Sequence, residues 1–357
     1  MIRLEPRQER SAVLPVVASV VAALVALALA AIPLLVAGAP LGASYAAMFG
    51  GALGSKFALA ETLTRTTPLI FTGLAVAVAF RARLWNIGAE GQLYAGALAA
   101  VVLGTGLIEA PPFILVPLLF LAGAAAGAAL MAVPTGLKLK FSVDEVVTSL
   151  LLNFIVLLFV SMMLEGPMKD PMGLGWPQSE AIVDEGTLPL LIARTRVHAG
   201  LVLAFVMAVI VHVVMARTVW GFEIRAVGSN PSAARFAGMS TAGVMLRVGL
   251  LSGALAGMAG VSEVAGLKGY LTQDLSPGFG YSGIVVAMLA GLHPLGVVIS
   301  AFFVAAVFVG ADSMSRAVGV PSYIANLTVA VALIAVLIGG VLTRYRIRVQ
   351  KPGTRHV

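Results

Sequence analysis

The sequence contains no cysteine, and charged residues occupy only 11% of its 357 positions. The absence of cysteine excludes disulfide bonds, thiolate catalysis and cysteine-ligated metal sites together. Soluble domains carry about 25% charged residues, and no polar stretch of this chain is long enough to fold as one. Hydrophobic residues account for 60% of the chain, with a mean hydropathy of +1.02. This composition is that of a polytopic membrane protein.

Residues for soluble-type catalysis are also scarce. The four histidines are scattered, and none pairs with an acid at metal-ligand spacing. Residues 50–56 resemble a phosphate-binding loop only superficially, because Ser55 interrupts the required Gly-Lys pair. A membrane-embedded enzyme would need a second buried polar group beside Glu90, and the sequence does not offer one. We therefore expect no metal site, no cofactor and no ATP hydrolysis by this chain itself.

The basic residues indicate orientation rather than nucleic acid binding. The net charge is +7, but the basic side chains lie in short runs between apolar segments and form no single basic face. With the N-terminus inside, sixteen of the 23 basic residues fall in cytoplasmic segments and seven on the other side. We therefore expect both termini to be cytoplasmic.

Apolar segments predict about ten transmembrane helices. The segment 283–292 is too short to cross alone, so it is either lengthened by residues 279–282 or forms a half-helix inside the protein. The first segment is longer than the signal-peptide core of about 7–15 residues, which favours a retained span. The predicted spans are about 12–38, 59–80, 87–107, 113–137, 143–164, 198–216, 244–266, 283–292, 295–311 and 323–342.

The predicted fold class is an all-α polytopic membrane protein with a single transmembrane domain over residues 1–357. The transmembrane core is residues 12–342, between a cytoplasmic N-terminal tail (1–11) and a basic cytoplasmic tail (343–357). Ten spans divide into two inverted halves, each with a glycine-rich region that predicts broken or re-entrant helices near the centre. The largest external loop, about residues 165–197, is long enough to cover a pore mouth or to contact an external partner.

The segment 84–92 places an amide, a carboxylate and a second amide before an apolar run. A carboxylate in or beside the hydrocarbon layer costs at least a few kcal/mol, which calls for an interior or functional role. We therefore predict that the segment faces a pathway rather than lipid. The structural alternative places Glu90 in the first turn of a helix at the cytoplasmic interface, with Asn86 as the cap and Arg81 or Arg83 as the ionic partner.

Small residues predict close helix packing in two further spans. They lie at residues 123–127 and at Gly253, Ala256, Gly257 and Gly260. Glu263 lies near the outer end of the second of these spans. We expect it to contact Lys268 at the interface rather than to bind a cation.

Two cytoplasmic segments carry helix-capping signals. Residues 142–145 form a predicted capping box, in which Ser142 caps the fifth span and Glu145 follows three positions later. Residues 230–238 start with Asn230 and Pro231 and end with glycine, which predicts a complete two-turn helix. A helix this short is marginal alone in water and needs a packing partner.

These segments resemble the permease subunits of ABC importers in the ribose and branched-chain amino acid group, most closely the nucleoside-type permeases. The resemblance rests on residues 86–92, 144–153, 225–234 and 278–296, which follow in order across about residues 59–342. It implies a permease subunit, not an enzyme, that carries nucleosides or related simple sugars by alternating access in a bacterial plasma membrane.

The resemblance also implies partners and site residues. The partners are a cytoplasmic ATPase with two nucleotide-binding domains that binds the ATP, a second related permease that makes a heterodimer, and an external substrate-binding lipoprotein. The implied pathway residues are Asn86, Glu90, Gln92, Asn153, Phe279 and Tyr281. The implied ATPase-coupling residues are Pro231, Ala233, Ala234, Arg235 and Phe236, together with Ser142 and Glu145.

The alternative function is an ion-coupled secondary transporter or a channel for a small polar solute. Ten spans in inverted halves would suit it equally well. It requires coupling ions at membrane acids, and in this sequence only Glu90 and Glu263 qualify.

Overall fold

A computed structural model describes residues 2–6, 25 and 27–349. The first predicted span, 12–38, and parts of both predicted tails therefore lie largely outside the described residues. Within the described part, the chain is helical apart from one two-stranded sheet. The helices are α1 (Leu27–Val36), α2 (Leu41–Leu53), α3 (Lys56–Arg81), α4 (Ala89–Gly104), α5 (Pro112–Phe141), α6 (Glu145–Glu165), α7 (Gly200–Arg217), α8 (Val219–Ser229), α9 (Pro231–Phe236), α10 (Thr241–Glu263), α11 (Phe279–Leu289), α12 (Pro294–Val318) and α13 (Ser322–Arg344).

The chain divides into two compact units, Lys56–Ala305 and a unit made of Met1–Ser55 with Ala306–Val357. In the second unit, strands β1 (Ile2–Pro6) and β2 (Tyr345–Val349) pair antiparallel, with Ile2 opposite Val349. This pairing corrects the strictly all-α prediction, which gave the two tails no regular structure.

Six helices in the described part are long and apolar enough to cross a membrane: α3, α5, α6, α7, α12 and α10 with its π-helical extension to Lys268. Shorter apolar helices include α4, α11 and α2 (Leu41–Leu53). The sequence analysis did not identify α2 as a separate helix. Helix α11 begins at Phe279 and ends at Leu289, so the eighth segment starts earlier than predicted and has 11 residues. It is still too short to cross alone, as in the predicted half-helix. The protein is therefore a polytopic, helical membrane protein.

The Lys56–Ala305 unit is built around α3 and α10. Helix α3 is buried along almost its whole apolar length, and α10 packs against α3, α4 and α5. Glycines allow backbones to touch: a Cβ on Gly96 would overlap the Gly257 carbonyl oxygen, and one on Gly127 would overlap that of Gly253. The predicted close packing of these segments is confirmed, because no side chain fits between them.

The predicted capping box at residues 142–145 is wrong. Ser142 has φ 55° and ends α5 in the left-handed conformation, so it cannot start α6. Asp144 is the cap, and its side chain accepts from the N–H groups two and three residues later at 2.7 and 3.4 Å. Glu145 does not reach back to a cap because its carboxylate binds the Lys138 ammonium.

The expected contact between Glu263 and Lys268 is also wrong. Glu263 is buried at the end of α10, with 2% of its surface exposed. Lys268 lies at the end of a π-helical turn, Val264–Lys268, and its ammonium hydrogen-bonds to Thr272 at 3.2 Å and to Asp274 at 3.4 Å. A π-turn holds one residue more than an α-turn, which changes the position of Lys268 relative to Glu263.

Candidate functional site

The N-termini of α4 and α11 meet inside the Lys56–Ala305 unit. Gly280, in the first turn of α11, touches the start of α4 so closely that a Cβ there would lie 2.5 Å from the Glu90 Cα and 2.6 Å from the Ala89 carbonyl carbon. Gly278 precedes α11 in a left-handed conformation, φ 92°. Both helix N-termini carry partial positive charge, so their meeting point favours an anion.

The carboxyl group of Glu90 lies at this meeting point. Its carboxylate accepts from the Gly280 N–H at 2.6 Å and faces the Ser276 hydroxyl and the N–H of Tyr281. Only 3% of the side chain is exposed. The carboxylate therefore satisfies N–H groups that a helix start leaves without partners. Glu90 lies in the first turn of α4, as the interfacial alternative has it. The carboxylate is buried against α11, however, and its bond is to Gly280 rather than to Arg81 or Arg83.

The segment that leads into α11 is held from two sides. Tyr94, one turn after Glu90 on α4, donates its hydroxyl to the Gln273 carbonyl at 2.6 Å and accepts from the Ser276 N–H at 3.2 Å. Thr72 of α3 donates to the Phe279 carbonyl at 3.0 Å. The position of the α11 N-terminus thus depends on both α3 and α4.

Asn86 and Gln92 form a buried amide pair that closes the loop before α4. Asn86 Nδ2 donates to Gln92 Oε1 at 2.8 Å, and Gln92 Nε2 donates back to Asn86 Oδ1 at 2.9 Å. Asn86 also donates to Ser252 of α10 at 2.9 Å, and Ser252 donates to the Ala75 carbonyl of α3 at 2.7 Å. Because buried amides need partners, this chain of bonds fixes the loop against two core helices.

One face of α6 supplies the remaining partners of the same loop. Glu145, Ser149 and Asn153 are spaced four residues apart and are all buried, so they lie along one side of the helix. Their oxygens accept, in order, from the N–H groups of Trp85 (3.2 Å), Ile87 (3.2 Å) and Gly91 (2.8 Å). The sequence analysis missed Ser149, although the four-residue spacing of polar side chains within an apolar helix is a signal that could have found it.

Asn153 links this loop to α11. Its Nδ2 donates to the Ile87 carbonyl at 2.9 Å and to the Tyr281 hydroxyl at 3.2 Å. The structure therefore brings the six predicted pathway residues together around one crossing. Phe279 is buried, with 3% exposed, whereas Tyr281 is 37% exposed. Tyr281 is thus the one predicted pathway residue that reaches the surface of the chain.

The predicted two-turn helix at residues 230–238 is confirmed as α9. Asn230 caps it by accepting from the N–H groups of Ser232 and Ala233, both at 3.0 Å, and Gly238 ends it at φ 84°. Ala234 is buried and holds the helix to the rest of the chain, whereas Phe236 is 95% exposed. The helix therefore presents a large aromatic side chain with almost no packing of its own.

A polar network buried among membrane helices, with an exposed aromatic side chain at its edge, is consistent with a membrane transport protein. The chain belongs to the family described as "Branched-chain amino acid transport system / permease component", which matches residues 58–342. It is a permease subunit of an ABC transporter, a transport component rather than an enzyme. Permeases of this family work with an ATPase and a substrate-binding protein.

Relatives in the same family agree with this assignment. The glucose ABC transporter permease protein TsgB13 of Haloferax volcanii is 38% identical over 97% of this chain and 93% of its own length. The guanosine permease NupP of Bacillus subtilis is 35% identical over 88% and 91%. The nucleoside permease NupB of Lactococcus lactis is 31% identical over 80% of both chains. No solved structure matches the chain.

Proposed function

We propose that this chain forms the membrane path for nucleosides or related simple sugars in an ABC importer that works by alternating access. The names of the relatives, which cover guanosine, nucleosides and glucose, support this cargo class. The observation that carries the proposal is the crossing of α4 and α11 around Glu90. A polar solute must exchange some of its water for hydrogen-bonding groups. At this crossing the chain offers the hydroxyl of Tyr281, which is 37% exposed and accepts from Asn153 while keeping its own hydrogen to donate.

In this proposal, Tyr281 contacts the solute, and the buried residues around it set its position. The hydrogen bonds of Asn86, Gln92 and Asn153 are used within the chain, so these side chains shape the path. Phe279 is buried in the first turn of α11, two positions before Tyr281. The path binds its cargo weakly, because affinity belongs to the external binding protein and tight retention would stall release.

Helix α9 is the proposed contact with the ATPase. Phe236 and Ala233 lie three residues apart on one side of the helix, and Arg235 adds an exposed charge. Pro231 starts the helix, and Ala234 attaches it to the chain. We assign Ser142 and Glu145 to the same function. Both lie at the turn between α5 and α6, which the bond between Glu145 and Lys138 stabilises. ATP is bound by the partner ATPase with its two nucleotide-binding domains, and this chain needs no cofactor.

The proposed topology has ten spans in two inverted halves, in a bacterial plasma membrane, with residues 1–357 acting as a single permease domain. The pairing of β1 with β2 supports placing both termini on the same side, and the distribution of basic residues favours the cytoplasm. The proposed assembly adds a second, related permease as a heterodimeric partner and an external lipoprotein that delivers the cargo.

Uptake assays test the cargo. A strain that lacks this chain should lose uptake of labelled nucleosides, and plasmid-borne wild-type chain should restore it. Parallel assays with labelled pentoses and glucose distinguish a nucleoside path from a sugar path. Unchanged uptake of all these solutes in the deletion strain would contradict the proposed function.

Co-purification tests the ATPase contact. Phe236→Ala should weaken association with the ATPase without loss of folding, because the side chain has almost no contacts within the chain. Ala233→Arg, which adds bulk and charge to the same side, should have a stronger effect. Phe113→Ala is the matched control, since Phe113 is 77% exposed at the start of α5. If both α9 variants bind the ATPase and transport as the wild type does, the contact lies elsewhere.

A further inference from the structure

Helix α8 was not predicted, and it lies in the chain between α7 and α9. It is fixed to α7, because Gly221 packs on the Val214 and Met215 carbonyl groups and Arg225 donates to the Met215 carbonyl. It is also fixed to α10, because Glu223 pairs with Arg247 at 3.2 Å. Helix α8 is therefore a firm support for the short helix that follows it.

The last turn of α8 also touches the end of α3. A Cβ on Gly228 would overlap the Arg81 carbonyl oxygen and would lie 3.2 Å from the Ala82 Cα. Gly228 lies two positions before Asn230, which caps α9. The contact joins two backbones with no side chain between them to absorb a displacement. A shift of α9 with α8 must therefore displace the end of α3 or separate the two backbones.

The end of α3 is in a strained conformation. The Leu84 N–H bonds to the Ala79 carbonyl at 3.0 Å, and the Arg83 N–H bonds to the Phe80 carbonyl at 3.0 Å. This is a Schellman motif, in which glycine normally takes the left-handed position. Here that position holds Arg83, with φ 56°. Asn86 of the candidate site follows three residues later.

Buried donors without partners lie in both elements of this joint. Among the side chains that the structure describes, three buried nitrogens have no hydrogen-bond partner, and two of them are Arg81 Nε on α3 and Trp220 Nε1 on α8. Buried polar groups in native proteins are nearly always paired. Arg81 lies two residues before the strained Arg83, whereas Trp220 lies in the first turn of α8, about two turns before Gly228. An unpaired donor beside a strained turn is a feature of elements that can change conformation.

We propose that the joint between α8 and α3 carries the movement of α9 to the candidate site, with Gly228 as the positioning residue. The proposal rests on the proposed role of α9 at the ATPase. Chain order alone would transmit the movement of α9 through α7 and α10, the two spans that flank its loop. The backbone contact at Gly228 adds a direct route to Arg81, to the loop before α4, and so to the crossing at Glu90.

Gly228→Ala tests the joint in the assembled complex of permease, ATPase and loaded binding protein. The added methyl group forces α8 and α3 apart, while α9 and its exposed face stay intact. We expect normal co-purification with the ATPase and an uptake rate lower by about tenfold, a typical size for coupling between two sites. Gly136→Ala is the matched control, because nothing lies within 4 Å of a Cβ at that position of α5. Wild-type uptake by Gly228→Ala would overturn the proposal.

Trp220→Phe separates a coupling role from a purely structural one. Trp220→Phe removes an unpaired buried N–H, which favours the folded state, and part of the ring's packing, which opposes it. The two effects offset each other, so a structural role predicts a small change in thermal stability and normal transport. The proposal predicts reduced uptake with normal ATPase association, because it gives the indole N–H a partner in a second arrangement of the joint. If Gly228→Ala or Trp220→Phe no longer co-purifies with the ATPase, α8 only holds α9 in position for binding, and the proposal is overturned. Failure of the wild-type chain to bind the ATPase would instead contradict the proposed function.

Discussion

Replacement of Asn153 by leucine should destabilise the Lys56–Ala305 unit by about 2–4 kcal/mol. Asn153 accepts from the Gly91 N–H and donates to the Ile87 carbonyl, and leucine would leave both backbone groups buried and unpaired. Each such loss costs about 1–3 kcal/mol, and the apolar leucine offsets part of the sum. For a unit of roughly 250 residues, about 2 °C per kcal/mol converts this to a fall in Tm of about 4–8 °C.

The assay is thermal unfolding of the purified permease in detergent, followed by tryptophan fluorescence. Asn153→Asp keeps the acceptor for Gly91, but it places a buried carboxylate oxygen against the Ile87 carbonyl oxygen, so its Tm should also fall below that of the wild type. Ser161→Ala on the same helix is the control, since that hydroxyl bonds only to the Leu157 carbonyl one turn earlier. A Tm shift in Asn153→Leu no larger than that of Ser161→Ala would refute the reasoning.

Three further predictions follow from the packing and the charges. Gly257→Ala should cost about 1–3 kcal/mol, because its Cβ would overlap the Gly123 carbonyl oxygen, and its Tm should fall below that of Gly136→Ala. Burial lowers the pKa of His198, outside α7, to about 4, so the folded state favours the neutral ring. Stability should therefore be complete above pH 6.5 and fall by roughly 3 kcal/mol as the pH drops from 6.5 to 4. This loss should vanish in His198→Asn, as measured by Tm against pH. Glu90→Gln keeps an acceptor for Gly280 but removes the charge between two helix N-termini, so uptake should fall with complex assembly intact, and normal uptake would leave Glu90 a structural role alone.

Polar residues within apolar runs could be identified from the sequence, but their partners could not. Asn86 and Glu90 stand out because a polar group at a membrane helix calls for a functional or structural explanation, whereas Asn153 was assigned through the family resemblance. Their partners lie far along the chain: Gly280 is 190 positions from Glu90, and Gly91 is 62 positions from Asn153. Such pairings depend on helix packing, which local pattern does not specify.

Local signals predicted helix ends only where nothing distant competed with them. The capping of α9 by Asn230 was predicted correctly because its bonds are all local. The signal at Ser142 failed because α5 ends there in a left-handed turn and Lys138 takes the Glu145 carboxylate. Helix α8 was missed because Thr218 alone separates it from α7. The Thr218 hydroxyl oxygen caps α8 by accepting from the Gly221 N–H, and no glycine or proline marks the break.

The pairing of β1 with β2 has a consequence for biosynthesis. The Lys56–Ala305 unit is one continuous stretch of chain, so its helices can pack while the ribosome is still adding later residues. The other unit is built from two distant segments of the chain, and Ile2 cannot meet Val349 until residue 349 has been translated. The candidate site can therefore assemble before this second unit has all of its residues.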